Sequence, residues 1–161
     1  MKKKLILVRH AHRNVIDPAD DNGLSEKGKK QADAICNYFL KSFGKKSDPQ
    51  LLSSPRTRCQ ETLAPLAKKL ELESKILHLL DEGAQTKHGP LEKRIEEFLA
   101  WWRDEAPAFV MACSHGDWIP VFFGMAIRED LNLKKSGWAE LELKDGKMTL
   151  KNVIQSWDLD S

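Results

Sequence analysis

Short, largely apolar segments at residues 5–8, 50–53 and 108–112 constrain the fold of this chain more than any other feature of its sequence. Segments of this kind are typical of strands that are buried on both faces of a parallel sheet. Each segment gives way to polar residues within a few positions. In open sheets of this type, ligands bind beyond the carboxyl ends of the strands, so these polar residues are the first candidates for a functional site.

The segments between and after these strands predict helices and a hairpin. Ser25 is placed to cap the first helix, and Gly44 is placed to end it. The last part of the chain alternates around Asp145 and Gly146, which is typical of a hairpin. The order predicts an α/β three-layer sandwich, with a mainly parallel central sheet, an antiparallel edge and helices on both faces. The predicted helices cover residues 25–43, 58–70, 91–103 and 116–127, and the hairpin covers residues 138–153.

Bulk properties restrict the class of protein. With 161 residues, 41% of them hydrophobic, the chain fits a single domain over residues 1–161. The 26 basic and 24 acidic residues give a net charge of +2, which does not favour nucleic acid or a membrane as partner. There is no signal-peptide core, and no stretch approaches the ~20 apolar residues of a membrane helix. Three widely spaced cysteines favour a reducing compartment, so we expect a cytoplasmic protein; its oligomeric state is left open.

The polar residues at the strand ends form a chemically coherent set. Arg9 and His10 follow the first strand, Arg58 lies shortly after the second, and His115 follows the third. Neighbouring strands lie ~4.8 Å apart, so these side chains can surround one small anion. Arginine matches phosphate oxygens, and a neutral histidine nitrogen can attack phosphorus. The set therefore predicts a phosphoryl-transfer site.

Four motifs occur along the chain: Leu7-Val8-Arg9-His10-Ala11, Leu24-Ser25-x-x-Gly28-x-x-Gln31-Ala32, Ser53-Ser54-Pro55-x-x-Arg58-x-x-Glu61-Thr62 and Ser114-His115-Gly116. In composition and order they resemble the motifs of the histidine phosphatase superfamily, and the resemblance covers residues 5–116. The superfamily includes phosphoglycerate mutases and the small bacterial phosphohistidine phosphatases, to which the resemblance is strongest.

The resemblance implies a role for each matching position. His10 is implied to be the phosphorylated nucleophile, with Arg9, Arg58 and His115 completing the phosphate pocket. Glu82 is implied to give a proton to the leaving group and then to activate water, with Asp81 as the competing candidate.

Substrate contacts are expected from residues near this pocket. Arg13 and Asn14 lie in the loop after His10, and Arg56 stands where the family often has an apolar residue. We expect a phosphorylated small molecule or a phosphoprotein as the substrate. His10 and His12 could be read as two metal ligands, but the neighbouring arginines would repel a cation, so we predict neither a metal nor another cofactor.

Two departures from the family pattern bear on function. Ala11 replaces the usual glycine, which is expected to narrow the approach of the backbone to the substrate. Only the 32 residues 83–114 separate Glu82 from His115, which leaves no room for the large lid of the mutases. A metal-independent phosphatase, acting on a phosphomonoester or a phosphohistidine, is therefore the leading hypothesis. Mutase-type phosphoryl transfer and a non-catalytic phosphate-recognition module are the alternatives.

Overall fold

A computed structural model describes residues 1–17 and 19–159, so Pro18 of the loop after His10 lies outside the described residues. The chain forms eight strands and four α-helices within these ranges, with one short 3₁₀ helix at His78–Leu80. The strands are β1 (Lys2–Arg9), β2 (Gln50–Ser53), β3 (Ser74–Ile76), β4 (Gln85–Thr86), β5 (Gly89–Pro90), β6 (Phe109–Ser114), β7 (Trp138–Lys144) and β8 (Lys147–Ile154). The helices are α1 (Glu26–Phe43), α2 (Thr57–Leu70), α3 (Leu91–Asp104) and α4 (Trp118–Ile127).

Six of the strands form one sheet in the order β3-β2-β6-β1-β7-β8. The first four are mutually parallel, whereas β7 is antiparallel to β1 and β8 is antiparallel to β7. The predicted parallel sheet with an antiparallel edge is thus confirmed. Arg9 pairs with Ser114, and Ser53 pairs with Cys113, so the carboxyl ends of β1, β6 and β2 meet at one edge.

The two faces of the sheet are covered by different helix pairs. Along β1, the buried side chains of Leu5 and Leu7 belong to the core beneath α3 and α4, whereas those of Ile6 and Val8 belong to the core beneath α1 and α2. This alternation follows from the two-residue period of a strand. It explains why the first segment is continuously apolar, and it confirms the three-layer sandwich.

Local signals at the ends of elements behave as the sequence predicts. The Ser25 hydroxyl accepts a hydrogen bond from the Gly28 amide at 3.1 Å, and α1 ends at Gly44, whose φ is +81°. Asp145 and Gly146 both have positive φ, +51° and +80°, in the turn between β7 and β8. Two consecutive left-handed residues are what a tight hairpin turn requires, so the hairpin prediction is confirmed.

The sequence predicts no helix or strand between α2 and α3, and this segment contains four short elements. They are β3, the 3₁₀ helix, and β4 paired with β5. Boundaries elsewhere shift by small amounts: β6 runs to Ser114, and α4 begins two residues after Gly116. Among the described residues, no helix is both long and apolar enough to cross a bilayer.

Candidate active site

The rings of His10 and His115 lie side by side where β1 and β6 end. Their centroids are 5.4 Å apart, and the residues are only 5% and 1% exposed. The neighbouring strands carry them there because β1 and β6 are paired up to Arg9 and Ser114. The proximity that the sequence predicts for these two residues is therefore present.

The surroundings of His10 fix its protonation and its tautomer. Its Nδ1 lies 2.9 Å from the carbonyl oxygen of Ala11, which can only accept, so Nδ1 carries the proton in the neutral ring. Burial lowers the pKa of His10 to about 4, and the positive charges of Arg58 and Arg9 act in the same direction. At neutral pH the ring is therefore uncharged, with the lone pair on Nε2 available for attack.

His115 is held by a serine to which the sequence analysis gave no role. The Ser54 hydroxyl lies 2.7 Å from Nε2 of His115 and accepts a hydrogen bond from the Arg56 amide at 3.3 Å, so its own proton is free for the ring nitrogen. Nδ1 of His115 is then the protonated nitrogen, and this buried atom lacks a hydrogen-bond partner among the described residues. Burial, followed by the effect of His10, lowers the pKa of His115 to about 2.

Two acid–arginine pairs complete the cluster. Arg58, only 2% exposed, donates from Nη2 to Oε1 of Glu82, and the other oxygen of Glu82 lies 3.5 Å from Nδ1 of His115. Asp81 instead binds Arg56, whose Nε donates to its Oδ1 at 3.0 Å. The carboxylate of Glu82, and not that of Asp81, thus lies between Arg58 and the histidine pair.

Arg9 closes another side of the cluster. Its Nη1 donates to the carbonyl of Leu133 at 3.0 Å. Gly116 lies against the guanidinium, because a Cβ there would sit 2.8 Å from the Cζ atom of Arg9. The buried Nε atoms of Arg9 and Arg58 lack hydrogen-bond partners among residues 1–17 and 19–159. Together with Nδ1 of His115, these two Nε atoms form a set of hydrogen-bond donors that can bind an anion with several oxygens.

The remaining motif residues hold the backbone that follows His10. The Ala11 amide donates to the Thr62 hydroxyl at 2.9 Å, and the His12 amide donates to the Gln31 side chain at 2.8 Å. A Cβ at Gly28 would lie 1.9 Å from the His12 carbonyl oxygen, so this contact requires glycine. These motif positions support the site without belonging to it.

The other sequence-predicted positions lie around this cluster. The Ala11 side chain, which replaces the usual glycine, packs into a small buried cluster with Leu24 and Ala32. Arg13 donates to the Asp20 carbonyl at 3.2 Å, and Asn14 accepts from the amide of Ile16. Both side chains therefore help to shape the loop after His10, and their contact with substrate stays a prediction.

A cleft of about 290 Å³ adjoins the cluster on the side of Arg56 and Asp81. Larger clefts lie against α1 and α2, away from the two histidines. Within the described part of the chain, no three histidine, cysteine, aspartate or glutamate side chains are grouped to hold a metal ion. The cleft is lined by Asp21, Pro55, Arg56, His78, Asp81, Thr86, Lys87 and His88.

The buried histidines predict a loss of stability in acid. Folding lowers the pKa of His10 from 6.5 to about 4 and that of His115 to about 2, so between pH 6.5 and 4 the unfolded chain binds more protons than the folded one. The free energy of unfolding should therefore decrease as the pH is lowered through this range. Each histidine contributes a slope that approaches 1.4 kcal/mol per pH unit. Urea unfolding at several pH values should show a shallower decline in His10→Asn and His115→Asn; parallel curves would contradict these assignments.

Comparison with known proteins places the chain within one family. The sequence profile of the histidine phosphatase superfamily (branch 1) matches residues 5–106. No curated protein matches the chain.

Solved structures resemble this one over nearly the whole chain. A phosphoserine phosphatase from Entamoeba histolytica, in complex with 3-phosphoglyceric acid, has a TM-score of 0.76 at 16% identity and covers 98% of both chains. A protein from Agrobacterium tumefaciens described as the phosphohistidine phosphatase SixA has a TM-score of 0.72 at 21% identity, covering 94% of this chain and 97% of its own. A mycobacterial glucosyl-3-phosphoglycerate phosphatase has a TM-score of 0.69 at 16% identity, with 93% and 97% coverage. At these identities the likeness shows a shared fold.

Proposed function

The chain belongs to the histidine phosphatase superfamily (branch 1), and from that membership we propose a metal-independent phosphatase that works through a phosphohistidine at His10. Its substrate is a phosphomonoester or a phosphohistidine. One observation carries the proposal: a buried neutral histidine, with Nε2 free, lies beside a second histidine and a buried arginine. This arrangement offers a nucleophile and a set of donors to the same phosphoryl group.

The first half-reaction transfers the phosphoryl group to the protein. Arg9, Arg58 and Nδ1 of His115 hold the non-bridging oxygens and offset their charge. Nε2 of His10 forms a bond to phosphorus while the bond to the leaving oxygen or nitrogen breaks. Glu82 takes up a proton as the phosphoryl group replaces it on Arg58, and it gives that proton to the leaving atom.

The second half-reaction returns the protein to its starting state. A water molecule attacks phosphorus, the bond from phosphorus to His10 Nε2 breaks, and inorganic phosphate leaves. The carboxylate of Glu82 takes one proton from the attacking water and gives it up to solvent when phosphate leaves and the pairing with Arg58 is restored. Glu82 is favoured over Asp81 because its oxygens lie against Arg58 and His115, whereas Asp81 is paired with Arg56.

We infer that the cleft beside Arg56 receives the leaving group. The names of the similar structures include enzymes for phosphoserine, phosphohistidine and a phosphorylated sugar acid. Phosphate release should be measured on phosphoamidates, phosphoproteins, sugar phosphates and nucleotides, with and without EDTA. We expect release from phosphohistidine or a phosphomonoester, unaffected by EDTA. Binding of phosphorylated compounds without any release would favour the recognition module, and faster isomerisation than release would favour a mutase.

Removal of Arg58 should weaken phosphoryl transfer strongly. Its guanidinium is buried at the centre of the cluster, so Arg58→Ala removes a charged hydrogen bond to the phosphoryl oxygens worth about 1.5–3 kcal/mol, or roughly tenfold to a hundredfold in kcat/KM. Steady-state kinetics with an aryl phosphate measure this loss. Arg103→Ala is the matched control, because Arg103 pairs with Asp104 on the surface at the end of α3. Equal rates in the two variants would remove Arg58 from the pocket.

A further inference from the structure

A second buried arginine lies outside the phosphate cluster and contacts the backbone on both sides of Glu82. Arg94, in the first turn and a half of α3, is 0% exposed. Its Nη2 donates to the carbonyl of Gly83 at 2.6 Å and lies 3.4 Å from the carbonyl of Asp81. One planar guanidinium therefore contacts the carbonyl groups of the two residues that flank Glu82.

The charge of Arg94 lacks the partner that a buried cation normally has. Among the described residues, no carboxylate oxygen lies within 4.0 Å of it, and its Nε lacks a hydrogen-bond partner. Its neighbours on the same face of α3 are the apolar side chains of Ile95 and Phe98. Burying a charge in such a place is costly. The hydrogen-bond partners that this side chain has in the described part of the chain all belong to the short loop that carries Glu82.

A second contact links the loop of Glu82 to the segment that follows β6. Oδ2 of Asp117, two residues after His115, accepts a hydrogen bond from the Gly83 amide at 2.8 Å. The Glu82 side chain itself is 37% exposed, so the packing of its own atoms holds it only in part. The place of Glu82 relative to the histidines therefore depends on how its backbone is anchored.

We propose that Arg94 is a positioning residue, which holds the backbone of Glu82 where the carboxyl group can reach the leaving atom. This inference rests on the proposed function, because it assigns Arg94 to the proton-transfer part of that reaction. A guanidinium can bridge two carbonyls, whereas an ammonium acts as a point charge. Because misplacement by about 1 Å can cost 10²-fold in rate, an anchor of this kind affects catalysis without touching substrate.

The test compares two substrates that differ in their need for a proton. Phenyl phosphate has a poor leaving group and needs the acid, whereas 2,4-dinitrophenyl phosphate has a good one and does not. Arg94→Met should lower kcat/KM, which reports the phosphoryl transfer to His10, by about tenfold to a hundredfold on phenyl phosphate and by no more than about threefold on the dinitrophenyl ester. The inhibition constant of inorganic phosphate should stay within about twofold, since the phosphate pocket is left in place. Lys93→Met, an exposed neighbour on α3, is the control for loss of charge and should behave as the unmodified protein.

The design separates the possible failures. Glu82→Gln combined with Arg94→Met should be no slower on phenyl phosphate than Glu82→Gln alone, because both changes remove the same proton transfer. An equal loss on both substrates, or additive losses in the double variant, would overturn the role of Arg94.

If thermal unfolding shows that Arg94→Met does not fold, Arg94→Lys provides the same comparison, with the same outcomes. Failure of the unmodified protein to hydrolyse even the dinitrophenyl ester would reject the proposed function, and the inference with it.

Discussion

In a His10→Asn variant, phosphate release from p-nitrophenyl phosphate falls by about 10⁴-fold or more, the scale on which removal of a covalent nucleophile acts in other enzymes. Asparagine keeps a polar group at this position but has no ring nitrogen that can accept a phosphoryl group. Phosphate binding should survive, because Arg9, Arg58 and His115 are untouched. Release measured against the uncatalysed rate gives the loss.

The intermediate itself provides the direct check. Brief mixing of the unmodified protein with labelled substrate should leave protein-bound phosphate that acid removes and alkali does not, as expected for a nitrogen–phosphorus bond. The label should be missing from His10→Asn and present in His88→Asn, in which an exposed histidine of the adjoining cleft is changed. Label on a hydroxyl group, or turnover by His10→Asn within tenfold of the unmodified rate, would reject the mechanism.

Glu82→Gln should change catalysis and anion binding in opposite directions. Loss of the acid should lower kcat on phenyl phosphate by about 10²- to 10⁴-fold. The carboxylate of Glu82 also competes with phosphate for Arg58, because its Oε1 accepts a hydrogen bond from that guanidinium. Its removal should therefore tighten binding of inorganic phosphate by about threefold to tenfold, measured as competitive inhibition.

Asp81→Asn is the matched control for this prediction. Its carboxylate pairs with Arg56 and accepts the Glu82 amide, so the change should disturb the loop but should not abolish proton transfer. A larger loss of kcat in Asp81→Asn than in Glu82→Gln would make Asp81 the acid. Weaker phosphate binding in Glu82→Gln would contradict the competition.

The parts of the fold that the sequence predicts well are those in which one pattern dominates. Residues 5–8 are apolar without interruption because both sides of β1 are covered, and Ser25 and Gly44 mark the limits of α1. The grouping of His10 with His115 follows from topology, since the ends of adjacent parallel strands meet. Local pattern and global arrangement agree at these positions.

The short elements before α3 and the role of Arg94 could not be predicted in this way. The three residues of β3 include Lys75 and Ile76, both exposed, and β4 and β5 have two residues each, so none of these three strands forms an amphipathic pattern. An arginine in a helix normally faces solvent. The available signal is its spacing, because Arg94 lies four residues before Phe98 and eight before Trp102, on the buried face of α3. A partner made of main-chain carbonyls leaves no trace in the sequence.

His10 and Glu82 are attached to segments that differ in the free energy of local unfolding. β1 is hydrogen-bonded along both edges, to β6 and to β7, so the segment leading to His10 should exchange its amide protons only in the rarest openings. The loop of Glu82 lies among a 3₁₀ helix and two-residue strands, whose few backbone bonds open at much smaller cost. In mild denaturant the protein should therefore keep its capacity to accept activated phosphoryl groups after it has lost its capacity to expel poor leaving groups.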